Sequence, residues 1–213
     1  MNDRRMKAVF EFVEACSNLY EKKCDSPGDD IMSAWIEAER NGLKDGSEFG
    51  LNQIISDCLL LLDGGAETTR TVIARSLVHL AQEQDQWELL KNGADLDTAV
   101  EEFIRFVTPV HNMCRVATED YCIGGETIRQ GQQVLLMYSS ANRDPSHFEN
   151  PETFDVTREP NQHIAFGFGT HFCLGASLAR LEIKHFFEIF LTKVAQMNPV
   201  SYSHLTLPTN REV

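Results

Sequence analysis

AFGFGTHFCLG, residues 165–175, ends a glycine-punctuated loop in a cysteine, Cys173, directly before an apolar run over 174–194 with helical spacing. The amides and dipole at a helix N-terminus favour negative charge, so a cysteine placed there leans toward thiolate, the form that attacks electrophiles and binds metals. Gly167 and Gly169 allow backbone conformations closed to other residues, and Gly175 lets a flat ligand approach closely. A lone Cys-x-Gly reads as well as a buried structural cysteine beside a turn. The full ten-residue pattern argues for a site.

Upstream, DGGAETTR at 63–70 falls inside a long helical stretch. Two adjacent glycines in a helix interior cost roughly 1 kcal/mol each against alanine, so something must require Gly64 and Gly65. One reading is a groove where a small ligand lies against the backbone, with local widening of the helix. Glu67 and Thr68 then set a carboxylate and a hydroxyl beside it, suited to relaying protons. The other is a glycine packing contact with a solvated Glu67. At 102–105, EFIR sets Glu102 and Arg105 three apart on one helix face. The spacing alone is weak, for Glu37/Arg40 and Glu67/Arg70 share it, and only its place between the long helix and the cysteine loop lifts it.

The remainder supplies a frame. Helices are expected over 4–22, from Ser26 as N-cap with Pro27 at the first helical position to about Arg40, and from about Glu48 to Ala81. The third is long for a globular domain, where helices average ~10–14 residues, and suggests an element crossing the middle of the fold. Shorter helices fit 82–91 and 96–107. Short strands follow, with Gly124-Gly125 as a turn and VLLMY at 134–138 as a buried strand. Residues 143–170 read as a long ordered loop of functional type. On the last helix, Leu178, Leu181, Ile183, Phe186, Phe187, Ile189 and Phe190 form the apolar face. The fold class is mainly α with small β-sheets.

With 42% hydrophobic and 24% charged residues in 213, the chain is of ordinary globular make-up. Its 32 acidic and 19 basic residues leave a net charge of −13, which disfavours nucleic acid and anionic membranes as partners. Six cysteines include no Cys-x-x-Cys pair, against a zinc site or a disulfide framework and for a reducing compartment. Glu11 and Glu14 break the apolar N-terminal stretch, so no export signal forms, and the run 58–62 is too short to span a bilayer. These features predict a cytoplasmic location.

Taken in order, these features resemble the cytochrome P-450 superfamily over about residues 1–197. FGFGTHFCLG is similar to its heme-binding Phe-x-x-Gly-x-x-x-Cys-x-Gly signature, GGAETT to the groove of its long central helix, and EFIR to its buried Glu-x-x-Arg pair. ANRDPSHFENPETFDVTR, 141–158, looks like the approach to the heme loop. VHNMCRV and GTHFCLG further resemble actinobacterial members that oxidise steroid side chains or branched lipids. The resemblance implies the C-terminal half of that fold, heme b as cofactor, and oxygen insertion from O2 into a C–H bond of a lipophilic substrate. A non-catalytic heme sensor, a peroxygenase and an inactive truncated fragment are the alternatives. Cys173 would be the proximal metal ligand, with Phe166 shielding its sulfur and Gly167, Gly175 and Gly65 giving the cofactor room. His171 and Arg115 would bind the propionates. Thr68 would hydrogen-bond bound oxygen and Glu67 help deliver protons. Glu102, Arg105 and Arg158 would brace the loop, and Leu62, Ala66, Val110 and His111 would line the substrate pocket. Arg180, Lys184 and Lys193 would face a ferredoxin or flavoprotein electron donor, or else form a solvated helix face.

Members of the family are about twice as long, so the resemblance implies a partial domain over 1–199. The segment SYSHLTLPTNREV, 201–213, lacks the family's closing hairpin, and 200–213 reads as an unrelated, disordered tail. Such a chain alone is expected to bind heme poorly.

Overall fold

Residues 3–43 and 47–197 are described by a computed structural model, and the chain falls into two units, Met1–Ala66 and Glu67–Val213. The tail expected at 200–213 lies outside the described residues.

The first unit holds α1 (Asp3–Asp25), α2 (Ile31–Asn41) and the beginning of α3 (Leu51–Gln82). Tyr20 and Cys24, four apart on α1, pack with Trp35, Phe49 and Cys58 around buried Met32, Ile36 and Ile54. The cap of α2 differs from the sequence expectation: Asp30, not Ser26, starts it. Its carboxylate accepts the Ser33 amide at 3.0 Å while Ser33 Oγ accepts the Gly28 amide at 2.9 Å, so 26–29 are spent on the turn. Asp30 also takes Lys23 Nζ at 2.6 Å, which with the Ser33 bonds holds its carboxyl below the usual range. Through Gly64-Gly65, α3 remains a regular α-helix without widening. No helix among the described residues is long and apolar enough to cross a membrane.

The second unit continues α3 and adds α4 (Gln84–Lys91), α5 (Leu96–Val107), β1 (Met113–Val116), β2 (Tyr121–Ile123), β3 (Glu126–Ile128), β4 (Gln133–Leu136), α6 (Tyr138–Ala141) and α7 (Ala176–Lys193). Asp95 caps α5 through the Thr98 amide at 2.8 Å, and Thr108, left-handed at φ +40°, ends it before Pro109. Phe103 and Ile104 of α5 meet Ile183 and Phe187 of α7 in a core closed by Val72, Leu80, Trp87, Phe154 and Val156. The buried face of α7 is narrower than its apolar composition suggests. Leu178, Leu181 and Ile189 are exposed, because α7 packs on α5 along one stripe only.

Both sheets are antiparallel two-stranded ribbons, β1 with β4 and β2 with β3. Gly124 and Gly125, at φ +60° and +85°, turn the second. The expected buried strand is corrected: Leu135, Leu136 and Met137 are exposed, and only Tyr138, already in α6, is buried. A ribbon of two strands cannot bury both its faces, which the apolar run had suggested.

Candidate functional site

The long segment between α6 and α7 has little regular structure, so its backbone polar groups need side-chain partners. A buried polar hub supplies them. Arg105 reaches Glu102 through Nε at 2.7 Å and Nη2 at 2.8 Å, and both side chains are 0% exposed. Arg105 also donates to the carbonyls of Asn142 (2.8 Å), Pro151 (2.9 Å) and Thr153 (3.2 Å). Arg158 joins Glu102 at 3.1 Å and donates to the carbonyls of Glu149, Asn150 and Thr153. The Asp155 amide and Asn161 Nδ2 complete the donors to Glu102, each at 3.0 Å. The three charged residues therefore clamp 142–161 onto α5.

Asn142, also buried, carries the clamp forward. Its amide donates to Thr108 Oγ1 at 2.9 Å, and its side-chain oxygen accepts the Ile164 amide at 2.8 Å, next to the cysteine loop. That loop turns at Gly167 and Gly169, with φ +73° and +72°, and a 3-10 turn covers Gly169–His171. A Cβ on Gly167 would stand 3.4 Å from the Tyr138 hydroxyl. The Cys173 amide then donates to the Phe166 carbonyl at 2.9 Å, closing the loop immediately before α7.

Cys173 is exposed, and its neighbours are apolar in an unusual way. Phe168 is 89% exposed and Leu174 94%, with Phe172 half out of the protein. An exposed thiol on a loop that also turns Phe168, Phe172 and Leu174 outward suits a flat, apolar, metal-bearing ligand such as heme, and these residues fit that group. Phe166 is half-buried, 6.2 Å from the Phe172 ring. Gly175 has φ −87°, and among the described residues a Cβ there would meet nothing within 4 Å. His171 is exposed on the 3-10 turn, and Arg115 sits half-buried on β1, with Nη1 donating to the Cys114 carbonyl at 2.9 Å.

The remaining residues named from the sequence fall on α3 and just before β1. Glu67 is exposed and ion-paired to Arg70, and Thr68 is half-buried. Gly64 and Gly65 are exposed on α3, and among the described residues a Cβ on either would meet nothing within 4 Å, so close packing by those residues does not account for them. Leu62 and Ala66, one turn apart on α3, are exposed too. Val110 is half-buried and His111 exposed, its carbonyl accepting the Ser139 amide at 3.2 Å.

Sequence reasoning passes over Glu101. Its carboxylate takes Arg180 at 2.5 and 2.8 Å and His163 Nε2 at 3.0 Å. Burial pushes its pKa up, but the Arg180 and His163 hydrogen bonds outweigh that and bring it to about 2. The Ala165 amide donates to His163 Nδ1 at 3.2 Å, leaving the proton on Nε2 for Glu101. Lys184 pairs with Asp97 at 2.7 Å. Of the three cations expected to face a partner, Arg180 and Lys184 are thus engaged by acids of α5, and Lys193 is exposed. Only adjacency to Glu102 could have drawn attention to Glu101.

The comparisons with known proteins agree with this architecture. The family model for Cytochrome P450 matches residues 2–195. Linalool 8-monooxygenase of Pseudomonas putida is 40% identical over 92% of this chain and 48% of its own length. A steroid C26-monooxygenase of Mycolicibacterium smegmatis is 38% identical over 90% of this chain and 47% of its own length. The crystal structure of CYP109E1 from Bacillus megaterium in complex with testosterone superposes with a TM-score of 0.84 at 33% identity, covering 97% of this chain and 57% of that one. The chain belongs to the cytochrome P450 family, whose members bind heme b, and it spans about half the length of the curated relatives it matches.

Proposed function

We propose that this chain provides the heme-binding part of a heme-thiolate monooxygenase that inserts one oxygen atom from O2 into a C–H bond of a lipophilic substrate. The observation that carries the reading is the exposed Cys173, set among outward-facing Phe168, Phe172 and Leu174 on a loop fixed from behind by buried Glu102, Arg105 and Arg158. Heme b, when bound, supplies the reductive activation of dioxygen, to which a thiolate ligand lends electron density.

The chain's own residues divide the remaining work. Cys173 Sγ would hold the iron, with Phe166 shielding the sulfur, Gly65 and Gly175 keeping side chains out of the cofactor's way, and Gly167 turning the loop that presents Cys173. His171 and Arg115 bind the propionates. Glu67, exposed on α3, takes protons from water and Thr68 Oγ1 passes them on. Leu62, Ala66, Val110 and His111 contribute to the substrate surface. Relatives named for linalool and steroid oxidation support a terpenoid, steroid or branched-lipid substrate. A ferredoxin or flavoprotein is the electron donor, and the cytoplasm, suited to six free cysteines, is the location.

Because this segment alone is expected to bind heme poorly, the test is to load a longer chain that contains it with hemin, reduce it and expose it to carbon monoxide. A Soret band red-shifted in the manner of thiolate ligation, lost in Cys173→Ala, supports the reading. Hemin bound equally by Cys173→Ala refutes it.

A further inference from the structure

Tyr138 turns inward where Leu135, Leu136 and Met137 before it stay exposed, and only 8% of it remains accessible. Its main chain is engaged, for its carbonyl accepts the Asn142 amide at 2.9 Å. Its hydroxyl is not: no hydrogen bond among the described residues uses that oxygen, and it is not sealed in the interior. The hydroxyl reaches the cysteine loop. A Cβ on Gly167 would stand 3.4 Å from it and 3.6 Å from the His171 carbonyl, so glycine at 167 also leaves the hydroxyl its place. Arg115 belongs to the same ribbon, facing Val134 across the β1–β4 pairing, and among the described residues it spends only Nη1, on the Cys114 carbonyl.

A flat ligand seated on this loop would take the last water from the hydroxyl. A hydroxyl cut off from water without an acceptor is costly, so the ligand has to bring one. The periphery of heme b offers acceptors only in its two carboxylates. We propose that Tyr138 Oη donates a hydrogen bond to a heme carboxylate, a role that rests on the heme-thiolate reading of Cys173 and adds a third donor to His171 and Arg115. The tyrosine ring, packed beneath the loop, holds that donor still, so little freedom is lost when the ligand arrives.

The experiment compares hemin with its dimethyl ester in a longer chain that contains this segment. The ester keeps the iron and the flat ring but has no charged carboxylate. Tyr138→Phe should weaken hemin about tenfold, as loss of a hydrogen bond to a charged group does, and leave the affinity for the ester unchanged. The propionate bending band in the resonance Raman spectrum of bound hemin should shift in the same variant, which a change in loop packing alone does not produce. Stability to urea without hemin should match that of the unsubstituted chain, because no protein group loses a partner. Unchanged hemin affinity in Tyr138→Phe overturns the proposal. An equal loss for hemin and ester overturns it too, since the residue would then only support the loop. The Soret band of the reduced carbon monoxide complex separates the two readings. A thiolate position retained beside either of those results sinks the role of Tyr138 alone. A thiolate position missing from the unsubstituted chain sinks the reading of Cys173, and this role with it.

Discussion

Arg105 closes on both oxygens of Glu102 as a two-pronged fork, at 2.7 and 2.8 Å, and neither side chain reaches solvent. A buried pair of this kind matters less for the stability it adds than for what its loss exposes. Removing one member strands the other charge in the interior, which typically costs about 3–5 kcal/mol. Loss of Arg105 would also leave the carbonyls of Asn142 and Pro151 without this donor, while the Thr153 carbonyl would keep only Arg158. Glu102→Ala and Arg105→Ala should each lower the unfolding free energy measured by urea denaturation by about 3–5 kcal/mol. Arg105→Lys should fail to rescue, since a single ammonium cannot span two carboxylate oxygens and three carbonyls. Full stability in the lysine variant would show that the fork geometry is dispensable.

Acid should weaken the fold in two separate steps. Burial first, and the positive charges of Arg143 and Arg75 after it, depress the pKa of His79, whose ring packs on Phe106 and Phe154. A histidine with a depressed folded pKa gives stability above its unfolded value of ~6.5, and this is lost as pH falls below it. Glu101 acts lower down. Its carboxyl, at about 2 against an ordinary value of 4.5, contributes stability present above pH 4.5 and lost as pH falls through the window toward 2. Denaturation midpoints across pH 2–8 should show both slopes. His79→Phe should flatten the upper and Glu101→Gln the lower, each without touching the other.

Thr68→Ala tests the proton relay in a monooxygenase assembly that contains this segment. Loss of a hydroxyl that passes protons should leave electron consumption going while product per electron falls, by about tenfold or more if the relay contributes as general acid–base groups do. The measurement is the ratio of product formed to electron donor consumed. An unchanged ratio would transfer preference to a protein that binds heme without needing proton delivery.

How far the sequence can be read depends on whether a feature is local. Helix α5 is legible at 96–107 from sequence alone, because Asp95 in front and Pro109 behind punctuate a clean apolar period. The two-residue turn at Gly124-Gly125 is similarly plain. The cap of α2 is not, because Ser26-Pro27 and Asp30 are both good local starts, and only the tertiary bond to Lys23 together with the Ser33 contacts selects Asp30. The 134–138 run reads as buried because apolar content does not say whether a second layer covers a ribbon. At the site, the motif names Cys173 and the Glu102/Arg105 spacing, but nothing in it gives Asn142 or Glu101 a role. Their partners, Ile164 for one and Arg180 and His163 for the other, lie 22, 79 and 62 residues away.

Gly167 and Gly175 separate two reasons for a glycine in the same loop. Gly167 is at φ +73°, and a Cβ would also stand 3.4 Å from the Tyr138 hydroxyl, so Gly167→Ala strains the backbone whether or not a ligand is present. A cost of roughly 1–2 kcal/mol is expected from the left-handed conformation alone. Gly175, at φ −87°, carries no such strain, and among the described residues a Cβ there would meet nothing within 4 Å. Gly175→Ala should therefore leave the unfolding free energy nearly unchanged, within about 0.5 kcal/mol as is usual for exposed positions. If a flat ligand lies against this backbone, hemin affinity should nonetheless fall in Gly175→Ala, and further in Gly175→Leu. Titration of the three proteins with hemin, followed by absorbance, distinguishes the cases. Equal affinity in all three would mean that nothing approaches Gly175 closely, whereas a loss of affinity without a loss of stability could come only from the ligand's own contact with that residue.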